Sequence, residues 1–399
     1  MKFLLIYVPN LRFTNLNKLV KVRLGDICTI TGGYAFDSLK MTQKGEYQII
    51  KMGNLYNGIF DLSRNSSFIN APTKKELDYL IQENDILITL TGTTNKKDYG
   101  YTVQMEQPKN LLLNQRCALI RASKVNEKYL FYLLNSNDFL KQFYASSTGG
   151  TGNQTNVSIN DMLDFKVCIS NENDQLKISN ILSALDKKIL TQIKIIDDLV
   201  LQKKYIISSL LKSIQDNEKI MLNDILFDYN IKTTINNEYP VLSSTASGMY
   251  LQSDYFNKET SSDNTIGYKI VPRGYCTYRS MSDTGLFTFN IQNLVEKGIV
   301  SPAYPVFSSN DDYINEFIIL YLNNSSYIKK QILELKSGGT RFALPFSTLC
   351  TLKIPKLEKE KQLSLIKTIT AFERKIENEE IILNALHQQK IFLLNNMFI

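Results

Sequence analysis

Between residues 178 and 210, apolar side chains recur at alternating steps of four and three: Ile178, Leu182, Leu185, Ile189, Ile196, Leu199, Ile206 and Leu210, with Gln192 and Lys203 at the two remaining steps. A seam with a mean spacing of about 3.5 residues marks a helix packed along its length against another helix. One seam cannot bury itself, so a second helix is required. The chain supplies it. Adding 187 to each position gives Leu365, Ile369, Phe372, Ile376, Leu383, Leu386, Leu393 and Met397 at the apolar steps, with Glu379 and Lys390 at the polar ones. The two runs share their apolar steps, their polar steps and a lysine at one polar step, which identifies an internal duplication.

Other landmarks repeat with it. Leu24, Asp26 and Ile27 return as Leu222, Asp224 and Ile225 at a shift of 198, and residues 114–120 match residues 301–307 at a shift of 187. Gly-rich turns, Thr148-Gly149-Gly150-Thr151 and Ser337-Gly338-Gly339-Thr340, follow at a shift of 189. Ahead of each turn the pattern predicts a short helix, over residues 129–144 and 314–333. After each turn a strand, residues 165–169 and 352–355, leads into a seam helix. Between these landmarks the two bodies are unlike in sequence. The first shows strand patterns at 47–51 and 85–90, a turn at 54–58, and a polar loop from Thr91 to Lys97; the second shows strand patterns at 268–271, 274–279 and 286–290.

The order unit, helix, unit, helix predicts a mixed α/β (α+β) chain in five parts: an N-terminal arm at 1–20, a globular unit at 21–170, a central long helix at 171–216, a second unit at 217–356 and a C-terminal long helix at 357–399. A continuous helix over residues 178–210 is roughly 50 Å long at ~1.5 Å per residue, too long to fold into one unit and suited to holding two apart. The helices are therefore expected to form an antiparallel coiled-coil pair with an internal pseudo-twofold repeat and the units at opposite ends. Leu185, Ile189 and Leu199, with their twins Phe372, Ile376 and Leu386, are the expected seam core. Gln192 with Glu379, and Lys203 with Lys390, are expected near the middle and one end, where polar seam residues set register at some cost in stability.

Composition narrows the function classes. A chain of 399 residues that is 43% hydrophobic and 21% charged is globular and large enough for two domains. The apolar start is broken by Pro9 without a small-residue cleavage site, which predicts neither a signal peptide nor a membrane span and places the protein in the cytoplasm. Cys28, Cys117, Cys168, Cys276 and Cys350 are scattered and odd in number, as expected of reduced, partly buried thiols rather than a disulfide framework or zinc site. Net charge is +7, of which residues 1–20 and 21–170 carry +3 each, 171–216 carry +1, and the remainder is neutral. That balance permits nucleic-acid binding without establishing it. His387, the single histidine, lies in the last helix with no nucleophile spaced to it, no Gly-Lys-Ser/Thr follows the Gly-rich turns, and no adjacent prolines supply an amino-methyltransferase tetrapeptide. No catalytic or metal-binding constellation emerges.

Two variable units, each ending in a similar Gly-rich turn and followed by a repeated long helix, resemble the specificity (S) subunit of type I restriction-modification systems. Val8-Pro9-Asn10-Leu11-Arg12-Phe13 is similar to that family's amino-terminal arm, and Leu24-Gly25-Asp26-Ile27 to the start of its target-recognition domain. Asn114-Gln115-Arg116, the Gly150-Thr151 turn, the stretch from Gly298 to Tyr304 and that from Gln175 to Ile189 also resemble it; Met1 to Tyr7 is an extra apolar start. The resemblance implies two target-recognition domains reading a bipartite double-stranded DNA sequence, with no catalysis by this chain. It implies two modification (methyltransferase) subunits as partners, which would hold the S-adenosylmethionine, and restriction subunits with nuclease and motor activity. No cofactor is expected on this chain and no membrane among its partners.

Base edges are read by amide, guanidinium, ammonium and hydroxyl groups on loops. On that ground the DNA-binding candidates in the first unit are Thr93, Asn95, Lys96 and Lys97, with Asn153 and Gln154 beside the Gly-rich turn. In the second unit they are Arg273, Tyr275, Tyr278 and Arg279, with Arg341 after the turn; the two tyrosines are equally compatible with half-buried strand positions. A competing class is a non-DNA scaffold that presents two adaptor domains to protein partners, which the neutrality of residues 217–356 favours.

Overall fold

Two helices exceed every other element in length, Glu172–Ser213 and Lys359–Asn396, and at ~1.5 Å per residue they run about 63 and 57 Å. The structure is a computed structural model and describes residues 19–149, 153–255, 264–335 and 342–398. The arm motif at residues 8–13, the glycines after Gly149, the turn at 337–340 and Arg341 lie outside the described residues. The chain forms two compact units, one from the described residues of Met1–Ile193 and Ile382–Ile399, the other from Lys194–Ile381, so each long helix contributes to both.

In the first unit a four-stranded antiparallel sheet runs in the order Cys28–Gly32, Cys117–Ala122, Ile86–Thr89, Thr102–Gln104. Its central strands are apolar at consecutive positions because both faces are covered. Ile86, Ile88, Ala118 and Ile120 point into a core shared with the short helices and the long-helix segments. Leu87, Cys117 and Leu119 point the other way, into a core with Ile50, Leu55 and Leu113. Tyr47–Ile50 pairs in parallel with Leu111–Leu113, and Val20–Arg23 pairs with Lys166–Ile169.

The second unit repeats this sheet from unrelated residues, in the order Leu226–Asp228, Val306–Ser309, Cys276–Tyr278, Phe289–Ile291. Ile86 lies opposite Ile120 in the first sheet and Cys276 opposite Phe307 in the second, with shifts of 190 from Ile86 to Cys276 and 187 from Ile120 to Phe307. Lys219–Met221 pairs with Lys353–Pro355 as Val20–Arg23 does with Lys166–Ile169. The Leu24-Asp26-Ile27 match is structural: Leu24–Asp26 and Leu222–Asp224 are both 3-10 turns, and the Leu24 and Leu222 amides donate to the Phe165 and Leu352 carbonyls at 2.9 Å each.

Each expected short helix is broken in two, Glu127–Leu133 with Asn137–Ala145 and Asn315–Asn324 with Ser326–Glu334. The break falls at a serine with extended backbone, Ser136 (φ −72, ψ 152) and Ser325 (φ −75, ψ 125), which restarts the helix as its N-cap residue. The apolar pattern runs through the break because both halves face the same core.

The long helices pair antiparallel within each unit. In the first unit Lys390 Nζ lies 2.6 Å from Asp186 Oδ1, while Phe398, further along, packs against Tyr129, whose hydroxyl accepts the amide of Ser170 just before the other long helix begins. In the second, Lys203 Nζ lies 3.3 Å from Glu373 Oε1, and Lys356 donates its backbone amide to Glu218 O. Asp186 and Glu373 are twins, as are Lys203 and Lys390. The expected juxtaposition of the two lysines is therefore corrected: antiparallel pairing sets each lysine against an acid that is the twin of the other lysine's acid, which removes the like-charge repulsion that a Lys–Lys contact would bring.

Leu185, Ile189, Leu199 and Gln192 are buried in the seam, and Phe372, Ile376 and Leu386 are half-buried. Towards the helix C-termini burial extends to Ile207 and Leu211 and to their twins Leu394 and Phe398, one residue off the seam. An α-helix of 3.6 residues per turn drifts in this way against a 3.5-residue repeat.

A buried glutamine ties each long helix to its unit. Gln175 donates from Nε2 to Ser170 O at 2.8 Å and accepts the Asn126 amide at 3.0 Å. Gln362 donates to Leu357 O at 2.7 Å and to Asp312 O at 3.0 Å and accepts the Ile314 amide at 3.0 Å. Replacing either with leucine strands at least two backbone groups, an expected loss of roughly 2–6 kcal/mol at ~1–3 per orphaned group. Hydrogen exchange should then accelerate in Glu127–Leu133 for Gln175→Leu and in Asn315–Asn324 for Gln362→Leu, each without the other.

Candidate nucleic-acid interface

The polar loop of the first unit is built on a small sheet. Thr91–Thr93 pairs with Gln154–Asn156, which pairs with Thr148–Gly149, and Gln154 lies opposite Thr93. A glycine is needed at position 92, because a Cβ there would sit 2.3 Å from the Tyr99 ring. Asp98 closes the loop: its carboxylate accepts the Thr93 amide and the Thr93 hydroxyl at 2.7 Å each. These bonds, the hydroxyl first, hold the Asp98 carboxyl below its ordinary range. Asn95 takes the left-handed turn position at φ +63, and Thr94 donates its amide to Asn153 O at 2.9 Å.

The structure thus brings Thr93, Asn95, Lys96, Lys97, Asn153 and Gln154 together on one edge. Asn95, Lys96, Asn153 and Gln154 are exposed, while the Lys97 ammonium lies 5.3 Å above the Tyr144 ring. Beside this edge opens a cleft of about 380 Å³, lined by Thr91, Gln115, Arg116, Gln154, Thr155 and Asn156. Arg116 occupies the left-handed region at φ +72, a conformation that costs a non-glycine residue on the order of 1–3 kcal/mol. Gln115 and Arg116 belong to the Asn114-Gln115-Arg116 stretch but were not among the expected contacts; nothing in a linear pattern marks a left-handed arginine.

The second unit carries the same edge. Met281–Ser282 pairs with Phe342–Ala343, and Met281 lies opposite Ala343 as Thr91 lies opposite Asn156. A cleft of about 570 Å³ adjoins it, lined among others by Ser244, Thr245, Arg279, Asp283, Thr284 and Tyr304. Of the described candidates in this unit, only Arg279 lines the cleft. Arg273 is engaged elsewhere, with Nε donating to Glu296 Oε1 and Nη1 to Asn293 O, both at 2.8 Å. Tyr275 is half-buried edge-on against Tyr229.

Tyr278 is corrected outright. It is 0% exposed, donates its hydroxyl to Leu344 O at 2.8 Å and packs against Phe289, so it is core and offers no surface. The Arg-Tyr interleaving over residues 273–279 is partly strand alternation in a sheet covered on both faces. Arg341 lies outside the described residues.

Remaining candidates for chemistry are quiet. Burial pushes the Cys28 and Cys117 thiols up to about 12 and raises those of Cys276 and Cys350. His387 is exposed on the second long helix. Among the described residues no helix is long and apolar enough to cross a membrane.

A duplicated mixed α/β chain with a polar, arginine-bearing cleft on each unit has the surfaces of a recognition protein. Residues 17–199 match the family model of the type I restriction modification DNA specificity domain. The fold is similar to that of the type I restriction-modification S subunit of M. genitalium, with a TM-score of 0.53 and 15% identity over 98% of both chains. It is also similar to a chain from a structure of complex assembly and conformational transition in a type I R-M system, with a TM-score of 0.59 and 14% identity over 96% of this chain and 98% of that one. At these identities the likeness is one of fold.

The Asp98 carboxyl, depressed in the folded state, contributes loop stability that is present above its unfolded pKa and lost as pH falls through its folded value. Thr93→Val removes the hydroxyl donor, so Asp98 should titrate at higher pH by NMR and the loop should loosen earlier on acidification. An unchanged titration would show that Thr93 does not hold the loop.

Proposed function

We propose that this chain is the sequence-specificity subunit of a type I restriction-modification complex, each unit reading one half of a bipartite double-stranded DNA target. The chain itself binds and does not catalyse. Two modification subunits supply S-adenosylmethionine and methyl transfer, and restriction subunits supply cleavage and movement along DNA.

The observation that carries this reading is the edge built twice in the same register, with a polar cleft and an arginine beside it each time, on a chain whose residues 17–199 match a DNA specificity family model. Variable side chains on a repeated backbone are what independent readout of two half-sites requires. The helices support two like partners. Leu176 and its twin Leu363 are exposed, as are Ile195 and Ile382 and the aromatic pair Tyr205 and Phe392, so the same apolar steps recur on both helices. In the first long helix, continuous from one unit into the other, length is suited to setting the spacer between half-sites.

Exchanging residues 21–168 for those of a relative should change one half of the methylated sequence, mapped by single-molecule sequencing, and preserve the other; a change in both halves or in neither would refute the proposal. Inserting about four residues, one helical turn, near Leu190 should alter the non-specific spacer. An assembled complex that binds duplexes without sequence preference would favour the scaffold class.

A further inference from the structure

The two clefts adjoin equivalent edges yet obtain their arginine from different strands. In the first unit it is Arg116, at the turn before Cys117–Ala122. The equivalent position in the second unit, at the 187 shift, is Ala303. There the arginine is Arg279, immediately after Cys276–Tyr278, and sheet register makes Thr89 its counterpart in the first unit. The surrounding contacts correspond: the Leu90 amide donates to Arg116 O, and the Ser280 hydroxyl donates to Ala303 O. A structural requirement of the fold would keep the arginine at one place. Two unrelated places opening on the same cleft point instead to what the cleft receives.

Both side chains are exposed on anchored backbone. Arg279 follows Tyr278, which is fully buried and pinned by its hydroxyl to Leu344 O. Arg116 holds a backbone conformation that favours glycine, so its side chain is retained against a local conformational cost. Around Arg116 the cleft is lined by the amides of Gln115 and Gln154; around Arg279 it is lined by Asp283 and Thr284.

We infer that Arg116 and Arg279 are the base-reading arginines of the two units, each specifying a guanine in its own half-site by the bidentate contact that a guanidinium makes with O6 and N7. The inference rests on the proposed DNA-reading function and names where that reading occurs. In the first unit the neighbouring Gln115 and Gln154 amides suit an adjacent adenine.

The test uses the full complex with its modification subunits, methylome sequencing, and binding to duplexes in which single G·C pairs are replaced. Arg116→Ala and Arg116→Lys should each reduce discrimination at one guanine of the first half-site by roughly ten- to a hundredfold, the lysine retaining charge but not the bidentate contact, with the second half unchanged. Arg279→Ala and Arg279→Lys should do the same in the second half alone. Arg116→Gly should lose discrimination without lowering the melting temperature, because glycine suits φ +72. Weakening that is uniform across sequences with an intact motif would make these phosphate contacts and overturn the inference, as would unchanged motifs or changes in both halves. A wild-type complex without any bipartite preference would overturn the proposed function together with it.

Discussion

The structure depends on the antiparallel contact between two copies of one helix. Each unit completes its core with a segment of both: the first with Ile178, Leu182, Leu185 and Ile189 against Leu393, Leu394, Met397 and Phe398, the second with Ile207 and Leu211 against Leu365, Ile366 and Ile369. Neither helix segment can be buried without its partner, so each unit is closed by residues far away in sequence. Lys203–Glu373 and Lys390–Asp186 repeat one ion pair at twin positions, and as partly exposed pairs they contribute little to stability; their value is in disfavouring a shifted register, where like charges would meet. Tyr132 strengthens the Lys390–Asp186 site, donating its hydroxyl to Asp186 at 2.8 Å.

Around the helices, the fold preserves hydrogen bonds more faithfully than side chains. Gln142 clamps both backbone groups of Lys166, and Gln331 clamps those of Lys353 in the same way. Gln175 and Gln362 do likewise at the helix starts. A buried backbone group must find a partner whatever the neighbouring side chains are, so these glutamines persist while the sheets between them are free to change composition. Freedom of that kind is what a recognition domain needs, since the edge residues can vary on a backbone that does not.

The candidate interface shows where pattern and packing part company. Loop residues such as Asn95, Lys96 and Asn153 were legible because a polar cluster between apolar strands has few alternatives to solvent. Tyr278 was not, because Cys276–Tyr278 lies in a sheet buried on both faces, where an aromatic ring and a surface tyrosine look alike in a linear string. Arg273 misled for another reason: its partners, Glu296 and Asn293, lie on a neighbouring turn, and only the folded chain brings them within 2.8 Å.

The sequence by itself determined the duplication, the mixed α/β class, the two long helices and their seam, because helical periodicity and repeat spacing are properties of order along the chain. It also placed the polar loop of the first unit. Tertiary structure alone decided that the two dissimilar bodies share one sheet order, that the twin lysines face acids rather than each other, and that Arg116 and Arg279 open on equivalent clefts. Those outcomes depend on pairing between distant strands and helices, whose register is set by burial and hydrogen bonding across space and leaves no mark at any single position.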